Sequence, residues 1–330
     1  MKPDSEQSIE RLIKLAGERD MPSQEGTERA RVAAEESFRR MLGQRPPVAP
    51  RSRIKAILGF AMAAGLAAVA LYTWTHRALS APPVLVARIA TLEGGATLLE
   101  SGGESLARLA LPILSGTTLA TGEGRVALTF GDSVSLRADR RTRLRFDSRE
   151  RITLLDGALY VDSGGVNAVP TLRIDTPAGE VRHVGTQFQV SVSGDTTRVR
   201  VREGRVLLTR AAGEPADIVT GDEMKVSGED VQWLHALPSF GPDWEWSAGI
   251  APPLEIENRP LSEFLAWMVR EHGWQLRYGD QALQPRTHSI RLHGSLDGLG
   301  ADAMLERVSL VTGVSVRASE GVLWVGEGQP

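Results

Sequence analysis

A chain of 330 residues is long enough for about two globular domains. Its 42% apolar and 24% charged residues are ordinary for globular proteins, and its net charge of −3 argues against a nucleic-acid-binding protein, which would carry a basic surface. The absence of cysteine excludes disulfides, thiolate metal sites and cysteine nucleophiles, and it is unproblematic in an oxidising compartment.

Residues 1–55 contain two runs with helical periodicity. The first has apolar residues at i, i+3, i+4 and i+7, and the second, about Glu25 to Leu42, places Ala30, Ala34, Phe38 and Met41 on one side. A Pro-rich spacer at 46–50 follows. Such narrow stripes cannot bury much area alone, so the segment is either a loosely structured charged tail or a helical segment completed by a partner protein. The candidate contact residues are Ile9, Leu12, Ile13, Ala16, Phe38 and Met41.

Residues 56–75 carry no charge, and a helix over this length would span about 30 Å, roughly the hydrocarbon thickness of a bilayer. The sequence therefore predicts a transmembrane helix. A buried core helix or a signal peptide cleaved after Ser80 are the alternatives. Basic residues crowd the front end of the segment, which predicts a cytoplasmic N-terminus and an exterior C-terminal part. These residues are Arg45, Arg51, Arg53 and Lys55.

Residues 84–236 show apolar residues alternating with polar ones, as at Phe188, Val190 and Val192. Gly and Asp punctuate the pattern every few residues, which predicts an all-β domain built as a sandwich or as stacked sheets. Acid-glycine pairs recur before such runs, at Glu93-Gly94, Asp156-Gly157 and Glu203-Gly204, and this pattern is typical of hairpin turns.

Three motifs in this region, in order, closely resemble the signature of the FecR family. They are Asp175-Thr176-Pro177-Ala178-Gly179, then Val184-Gly185-Thr186-Gln187-Phe188-Gln189-Val190, then Val199-Arg200-Val201-Arg202-Glu203-Gly204-Arg205-Val206. The residues that carry the resemblance, with an expected structural role, are Thr176, Pro177, Gly185, Thr186, Phe188, Val199, Val201, Glu203, Gly204 and Val206. Gly185 and Gly204 are expected to occupy turns or tight backbone approaches.

A Pro- and Trp-containing linker is predicted at 237–253, and an α+β module of order β-α-β-β-α-β-β at 254–330. Pro260 is expected to open its first helix and Gly273 to end it. The module resembles the secretin/TonB short N-terminal (STN) module that many FecR-like proteins carry at the C-terminus, through the runs 256–265, 293–296 and 304–308.

No catalytic, cofactor or metal motif is found, and no enzymatic activity is expected. The six histidines include no H-E-x-x-H pair, and the chain has no nucleophile elbow and no P-loop. His288 and His293 are predicted to lie on one strand, on opposite faces. Acidic residues are expected to lie solvated on turns and helix surfaces.

The resemblance implies a single-pass bacterial inner-membrane signal transducer with a periplasmic C-terminus. It would relay a signal from the periplasmic domain of an outer-membrane TonB-dependent receptor, as in iron uptake, to a cytoplasmic extracytoplasmic-function sigma factor, as an anti-sigma factor or activator that regulates transcription. Envelope proteases are further implied partners. The alternative is a membrane-tethered periplasmic scaffold that binds another envelope component without any sigma factor.

Overall fold

The computed structural model describes residues 24–43, 83–131, 133–164, 172–210 and 213–328. The chain divides into two compact units, Met1–Ala81 and Pro82–Pro330. The described part of the first unit is one helix, α1 (Gln24–Gly43), which agrees with the helix predicted over about 25–42. The first predicted stripe, Ile9 to Ala16, lies outside the described residues.

The predicted fold class, a single-pass membrane protein, needs correction. None of the helices in the described ranges is long and apolar enough to cross a membrane. Helix α1 has 20 residues, but charged side chains recur along it. The part of the chain that the structure describes is mostly β-strand, with a smaller share of helix. The segment 56–75, on which the prediction rested, lies outside the described residues.

The β-rich part of the second unit is one continuous sheet of 15 strands, not two stacked sheets, and the structure includes a five-stranded barrel. Its strands follow the chain as β1 (Leu85–Glu93), β2 (Thr97–Glu100), β3 (Gly103–Leu106), β4 (Pro112–Leu114), β5 (Thr118–Ala120), β6 (Arg125–Phe130), β7 (Val134–Ala138), β8 (Arg143–Phe146), β9 (Arg151–Asp162), β10 (Arg173–Thr176), β11 (Gly179–Ser193), β12 (Thr196–Thr209), β13 (Ala216–Val219), β14 (Glu223–Ser227) and β15 (Asp230–Leu234). The path of pairing runs β15-β14-β12-β11-β10-β9-β7-β6-β1-β4.

Long bent strands explain why the sheet stays continuous. The first half of β9 pairs with β8 and β10, and its second half pairs with β7 and β11. Gly157 lies at the point where β9 changes its pairing partners. It has φ 90°, and an added Cβ there would lie 2.4 Å from Thr142 Oγ1. Strand β12 changes partner in the same way at Gly204, from β14 to β13. The predicted hairpin turns at Gly157 and Gly204 are therefore wrong, because both glycines lie inside strands, where a bend also needs a positive φ.

The C-terminal part is an α+β module that begins with a helix in the predicted linker and has, within 254–330, one more helix than predicted. Its elements are α2 (Pro242–Gly249), β16 (Arg259–Pro260), α3 (Leu261–His272), β17 (Gln275–Tyr278), α4 (Leu283–Ser289), β18 (Arg291–Leu292), α5 (Ala301–Thr312), β19 (Val314–Ser319) and β20 (Val322–Glu327). The order β-α-β-β-α-β-β is thus corrected by α4, which places His288 on a helix and not on a strand. The predicted helix ends are confirmed, since α3 follows Pro260 and both α3 and α5 stop at left-handed glycines, Gly273 and Gly313.

Two hydrophobic cores stabilise the second unit. The larger one fills the β-sheet region, with residues such as Phe146, Leu128 and Val190 fully buried. The smaller one joins α3 and α5 to the three-stranded sheet β17-β20-β19 through Phe264, Leu305 and Leu323. The predicted linker 237–253 contains α2, whose Trp244 is 2% exposed, so this segment packs into the fold.

Candidate functional site

The FecR-like signature residues form a strained contact between β11 and β12. Gly185 has φ 60° and Gly204 has φ 89°. A Cβ on Gly204 would lie 2.6 Å from the carbonyl oxygen of Gly185 and 2.6 Å from Thr186 Cγ2. The predicted tight backbone approach is therefore found at Gly204, whereas Gly185 lies inside β11 with a positive φ and with nothing within 4 Å of an added Cβ. The register between the two strands shifts at this point, as expected for a bulge.

The apolar signature residues belong to the sheet core. The side chains of Phe188, Val199, Val201 and Val206 are at most 1% exposed. Thr176 closes the β10–β11 hairpin by donating its hydroxyl to the carbonyl of Gly179 at 2.8 Å, with Pro177 in the turn. Glu203 is different, because its carboxylate is 59% exposed and lies 3.7 Å from the guanidinium of Arg270 in α3. The signature strands thus meet the C-terminal helices directly.

A buried ion pair anchors α3 on the sheet. Arg137 of β7 is 1% exposed and Glu271 of α3 is 8% exposed. Arg137 donates two hydrogen bonds to the Glu271 carboxylate, at 2.5 and 2.9 Å, and a third to the carbonyl of Ser247 in α2 at 2.9 Å. Its guanidinium also lies over the ring of Tyr160, 5.0 Å from the centroid. Burial disfavours the charge on Arg137, but Glu271 overcompensates and raises the pKa of the guanidinium.

A second ion pair joins α3 to the end of β9. Arg270 bonds both carboxylate oxygens of Asp162, through Nη2 to Oδ1 and through Nε to Oδ2, the latter at 3.0 Å. Gln187, a signature-region residue on β11, donates to Asp162 Oδ2 at 2.9 Å and to the Arg270 carbonyl at 3.2 Å. Burial alone would raise the pKa of Asp162, but the bonds from Arg270, Gly164 and Gln187 hold it below its usual range.

Arg202, from the third signature motif, completes this buried ion-pair cluster. It is 3% exposed and donates from Nε to the Ser239 carbonyl at 2.6 Å and from Nη1 to the Glu271 carbonyl at 3.0 Å. Its guanidinium also lies over the Trp244 ring at 4.8 Å. We define the buried ion-pair cluster as the two ion pairs Arg137–Glu271 and Asp162–Arg270 together with Arg202, which contacts Glu271 but forms no ion pair with any described residue. It ties the signature strands to α2 and α3.

Sequence reasoning missed this cluster, because acidic residues were expected to be solvated. Its partners are far apart along the chain: 134 residues separate Arg137 from Glu271, and 108 separate Asp162 from Arg270. One local signal existed. Arg137 lies between Leu136 and Ala138, both fully buried, in a short strand where an arginine is unexpected.

The candidate partner-contact residues on α1 are exposed where they are described. Phe38 is 64% exposed, and Ala34, one turn earlier, is exposed as well. Val32 is 53% exposed but lies off this stripe. Met41 lies on the same helix, whereas Ile9, Leu12, Ile13 and Ala16 lie outside the described residues. Ala34 and Phe38 therefore lie exposed on the same side of α1.

The histidines do not converge. His293 donates a hydrogen bond from Nδ1 to the Glu257 carboxylate at 2.8 Å, and His288 lies on α4. His183 is buried without a hydrogen-bond partner, and burial lowers its pKa to about 4. Among the described residues, no three His, Asp or Glu side chains are placed to hold a metal ion.

Comparison with known proteins gives one family match and three matching chains of solved structures, two of which are described here. No curated protein matches the chain. Two crystal structures of a proposed anti-sigma factor from Parabacteroides distasonis ATCC 8503 are similar at low levels. One has 14% identity and TM-score 0.34, over 64% of this chain and 99% of that chain. The other has 12% identity and TM-score 0.28, over 74% of this chain and 100% of that chain. Such values carry no argument about fold or function.

The family model described as FecR protein matches residues 117–207. The match runs from the turn before β5 to β12, so it includes all three signature motifs and three members of the buried ion-pair cluster, Arg137, Asp162 and Arg202. The resemblance seen in the sequence is thereby confirmed for this region. The STN-like assignment of 254–330 stays a prediction. Residues 117–207 of this chain are thus similar to FecR proteins.

Proposed function

We propose that this chain is a FecR-like regulator of an extracytoplasmic-function sigma factor, which relays a signal from an outer-membrane TonB-dependent receptor. The observation that carries the proposal is the FecR match at 117–207. The proposed location is the bacterial inner membrane, with a cytoplasmic N-terminus and a periplasmic C-terminus. We expect no enzymatic activity, and envelope proteases are proposed as further partners.

The proposed sigma-factor contact is the stripe of α1 around Phe38. A phenyl ring that is 64% exposed on an otherwise charged helix gains free energy when a partner groove covers it. Exposed apolar anchors of this kind commonly supply a large share of the binding energy at helix-in-groove interfaces. Ala34 lies one turn away on the same side, so its small side chain leaves room for a close approach.

The test is co-purification of the full chain with an extracytoplasmic-function sigma factor from the same organism. We expect Phe38→Asp to weaken capture by about 2–4 kcal/mol, because a charge would be buried in an apolar groove. Val32→Asp is the matched control, since it introduces the same charge on the same helix away from the stripe, and it should leave capture nearly intact. Equal capture by wild type and Phe38→Asp would refute this contact.

The proposed receptor contact lies on the C-terminal module. Strand β19 pairs only with β20 among the described strands, and Ser309 of α5 bonds the N–H and the carbonyl of Val316 on its other edge. The contact we propose here is therefore docking of apolar side chains into a groove and not the addition of a strand. A groove of about 730 Å³ adjoins this edge and is lined in part by Leu310, Arg317 and Trp324. Leu310 is 84% exposed and Trp324 is 44% exposed, which leaves two large apolar groups for a partner to cover.

We expect Leu310→Asp to abolish capture of the receptor's periplasmic signalling domain. The matched control is Leu109→Asp, because Leu109 is 64% exposed but lies in the β-rich part, away from β19. If both variants bind like wild type, the receptor does not use this groove.

The alternative function is an envelope scaffold that binds through the same exterior modules and has no sigma factor. Reporter fusions test the proposed orientation of the chain. A reporter that is active only in the periplasm should be active when fused after Pro83 and inactive when fused at Gly43. Activity at Gly43 would contradict the proposed orientation.

A further inference from the structure

Arg202 is a buried cation without a carboxylate partner. It is 3% exposed, yet it forms no ion pair with any described residue, and its Nη2 forms no hydrogen bond with one. The other arginines nearby are paired: Arg137 with Glu271, Arg270 with Asp162, and Arg200 with Glu223. Buried charges in proteins are normally paired, because an unpaired one loses its hydration without compensation.

A small cavity lies beside this guanidinium. It is lined by Arg202, Gly241, Trp244, Glu245, Ala248, His272 and Trp274, and its volume is about 40 Å³. One water molecule needs about 10–15 Å³ measured in this way, so the cavity has room for about three waters or one carboxylate group. A sugar or a nucleotide would not fit.

The polar groups around the cavity are mostly hydrogen-bond donors. The indole N–H of Trp274 has no acceptor among the described residues, in contrast to those of Trp244 and Trp246. His272 stacks on Trp274 with ring centroids 4.3 Å apart. Burial, and to a smaller extent the charge of Arg202, lower the pKa of His272 to about 4. At neutral pH its ring is therefore uncharged and keeps one N–H donor. The lining carboxylate is Glu245, which is exposed to solvent and makes no ion pair with Arg202.

We propose that this cavity binds a small carboxylate anion, with Arg202 as its counter-ion and Trp274 and His272 as additional donors. A carboxylate is planar and accepts charge-assisted hydrogen bonds from a guanidinium. Its charge would balance the excess arginine in the buried ion-pair cluster. The carboxylate belongs either to a free small anion or to an acidic side chain of another protein. The site is independent of the proposed sigma-factor and receptor contacts.

The test is a titration of the purified full chain with sodium acetate at pH 7, at constant ionic strength kept by a bulky sulfonate anion. The readout is the thermal midpoint together with tryptophan emission, since Trp244 and Trp274 line the cavity. We expect a saturable rise in the midpoint and a saturable emission change in wild type, because a ligand that binds only the folded state stabilises it. A blocked Gly-Glu-Gly tripeptide is titrated in parallel. Tighter binding of the tripeptide than of acetate assigns the site to a protein side chain, and equal or weaker binding assigns it to a free anion.

Arg202→Gln should weaken the acetate response at least about tenfold, because the charge-assisted bond is lost. The matched control is Arg198→Gln, on the same strand and face four residues earlier, where Arg198 bonds Ser191 and does not line the cavity. A second variant, Ala248→Leu, fills the cavity without removing the guanidinium and should abolish the response as well. A wild type without a saturable response, or a response that survives Ala248→Leu unchanged, overturns the proposal. The Trp244 ring and the backbone carbonyls would then satisfy Arg202.

Discussion

The change Glu271→Gln tests how the C-terminal module is held on the β-sheet. It removes one charge and almost no volume from a pair whose members are 1% and 8% exposed. Arg137 then remains charged and buried, with the Ser247 carbonyl and the Tyr160 ring as its remaining partners. Removing one partner of a buried ion pair typically costs about 3–5 kcal/mol. The amide oxygen of glutamine can still accept one hydrogen bond, so we expect about 3 kcal/mol.

Urea unfolding of the full chain, followed by tryptophan emission, measures this cost. With a slope of about 1–3 kcal/mol per M urea, a loss of about 3 kcal/mol lowers the midpoint by about 1–3 M. The matched control is Glu263→Gln on the same helix, which breaks the exposed pair of Glu263 with Arg259, 49% and 51% exposed. Exposed pairs of this kind contribute about 0–1 kcal/mol, so the control midpoint should barely move. Equal midpoints for the two variants would refute the reasoning that the buried pair anchors α3.

The remaining predictions concern one histidine and one glycine. Burial lowers the pKa of His183 to about 4. Between about pH 6.5 and pH 4 the unfolded chain therefore binds a proton that the folded chain does not, so the free energy of unfolding decreases as the pH is lowered through this range. His183→Phe should therefore gain about 2 kcal/mol of stability at pH 5 relative to its effect at pH 7. Equal pH profiles for wild type and His183→Phe would contradict the burial argument. Gly204→Ala should cost about 1–3 kcal/mol in thermal unfolding, more than Gly228→Ala, where φ is also positive at 60° but nothing lies within 4 Å of the added Cβ. A cost no larger than that at Gly228 would show that the backbone contact with Gly185 relaxes freely.

The alternation of apolar and polar residues predicted the β-rich class correctly. In β11 and β12, the residues Phe188, Val190, Val199 and Val201 are buried as the period of two implies. The same residues could not define the sheet. Because Gly204 is compatible with either a hairpin turn or a bend inside a strand, the local sequence does not distinguish two short strands from one long strand that changes partner.

Helix α4 was missed for a different reason. It has seven residues, contains Pro285 and buries only Leu283 and Thr287, so it presents no apolar stripe. The buried ion-pair cluster was missed because it is created by tertiary contacts alone. No local pattern connects Arg137 of β7 to Glu271 of α3, which lie 134 residues apart.

The central claim is that this chain regulates a sigma factor, and capture of that factor by the full chain tests it most directly. An extracytoplasmic-function sigma factor from the same organism is mixed with wild type, Phe38→Asp and Val32→Asp, and the bound fraction is measured alongside transcription from the sigma factor's target promoter. The account predicts capture by wild type and by Val32→Asp, loss of capture by Phe38→Asp, and altered transcription only in that variant. If wild type captures no sigma factor, the regulator proposal fails and the envelope scaffold replaces it.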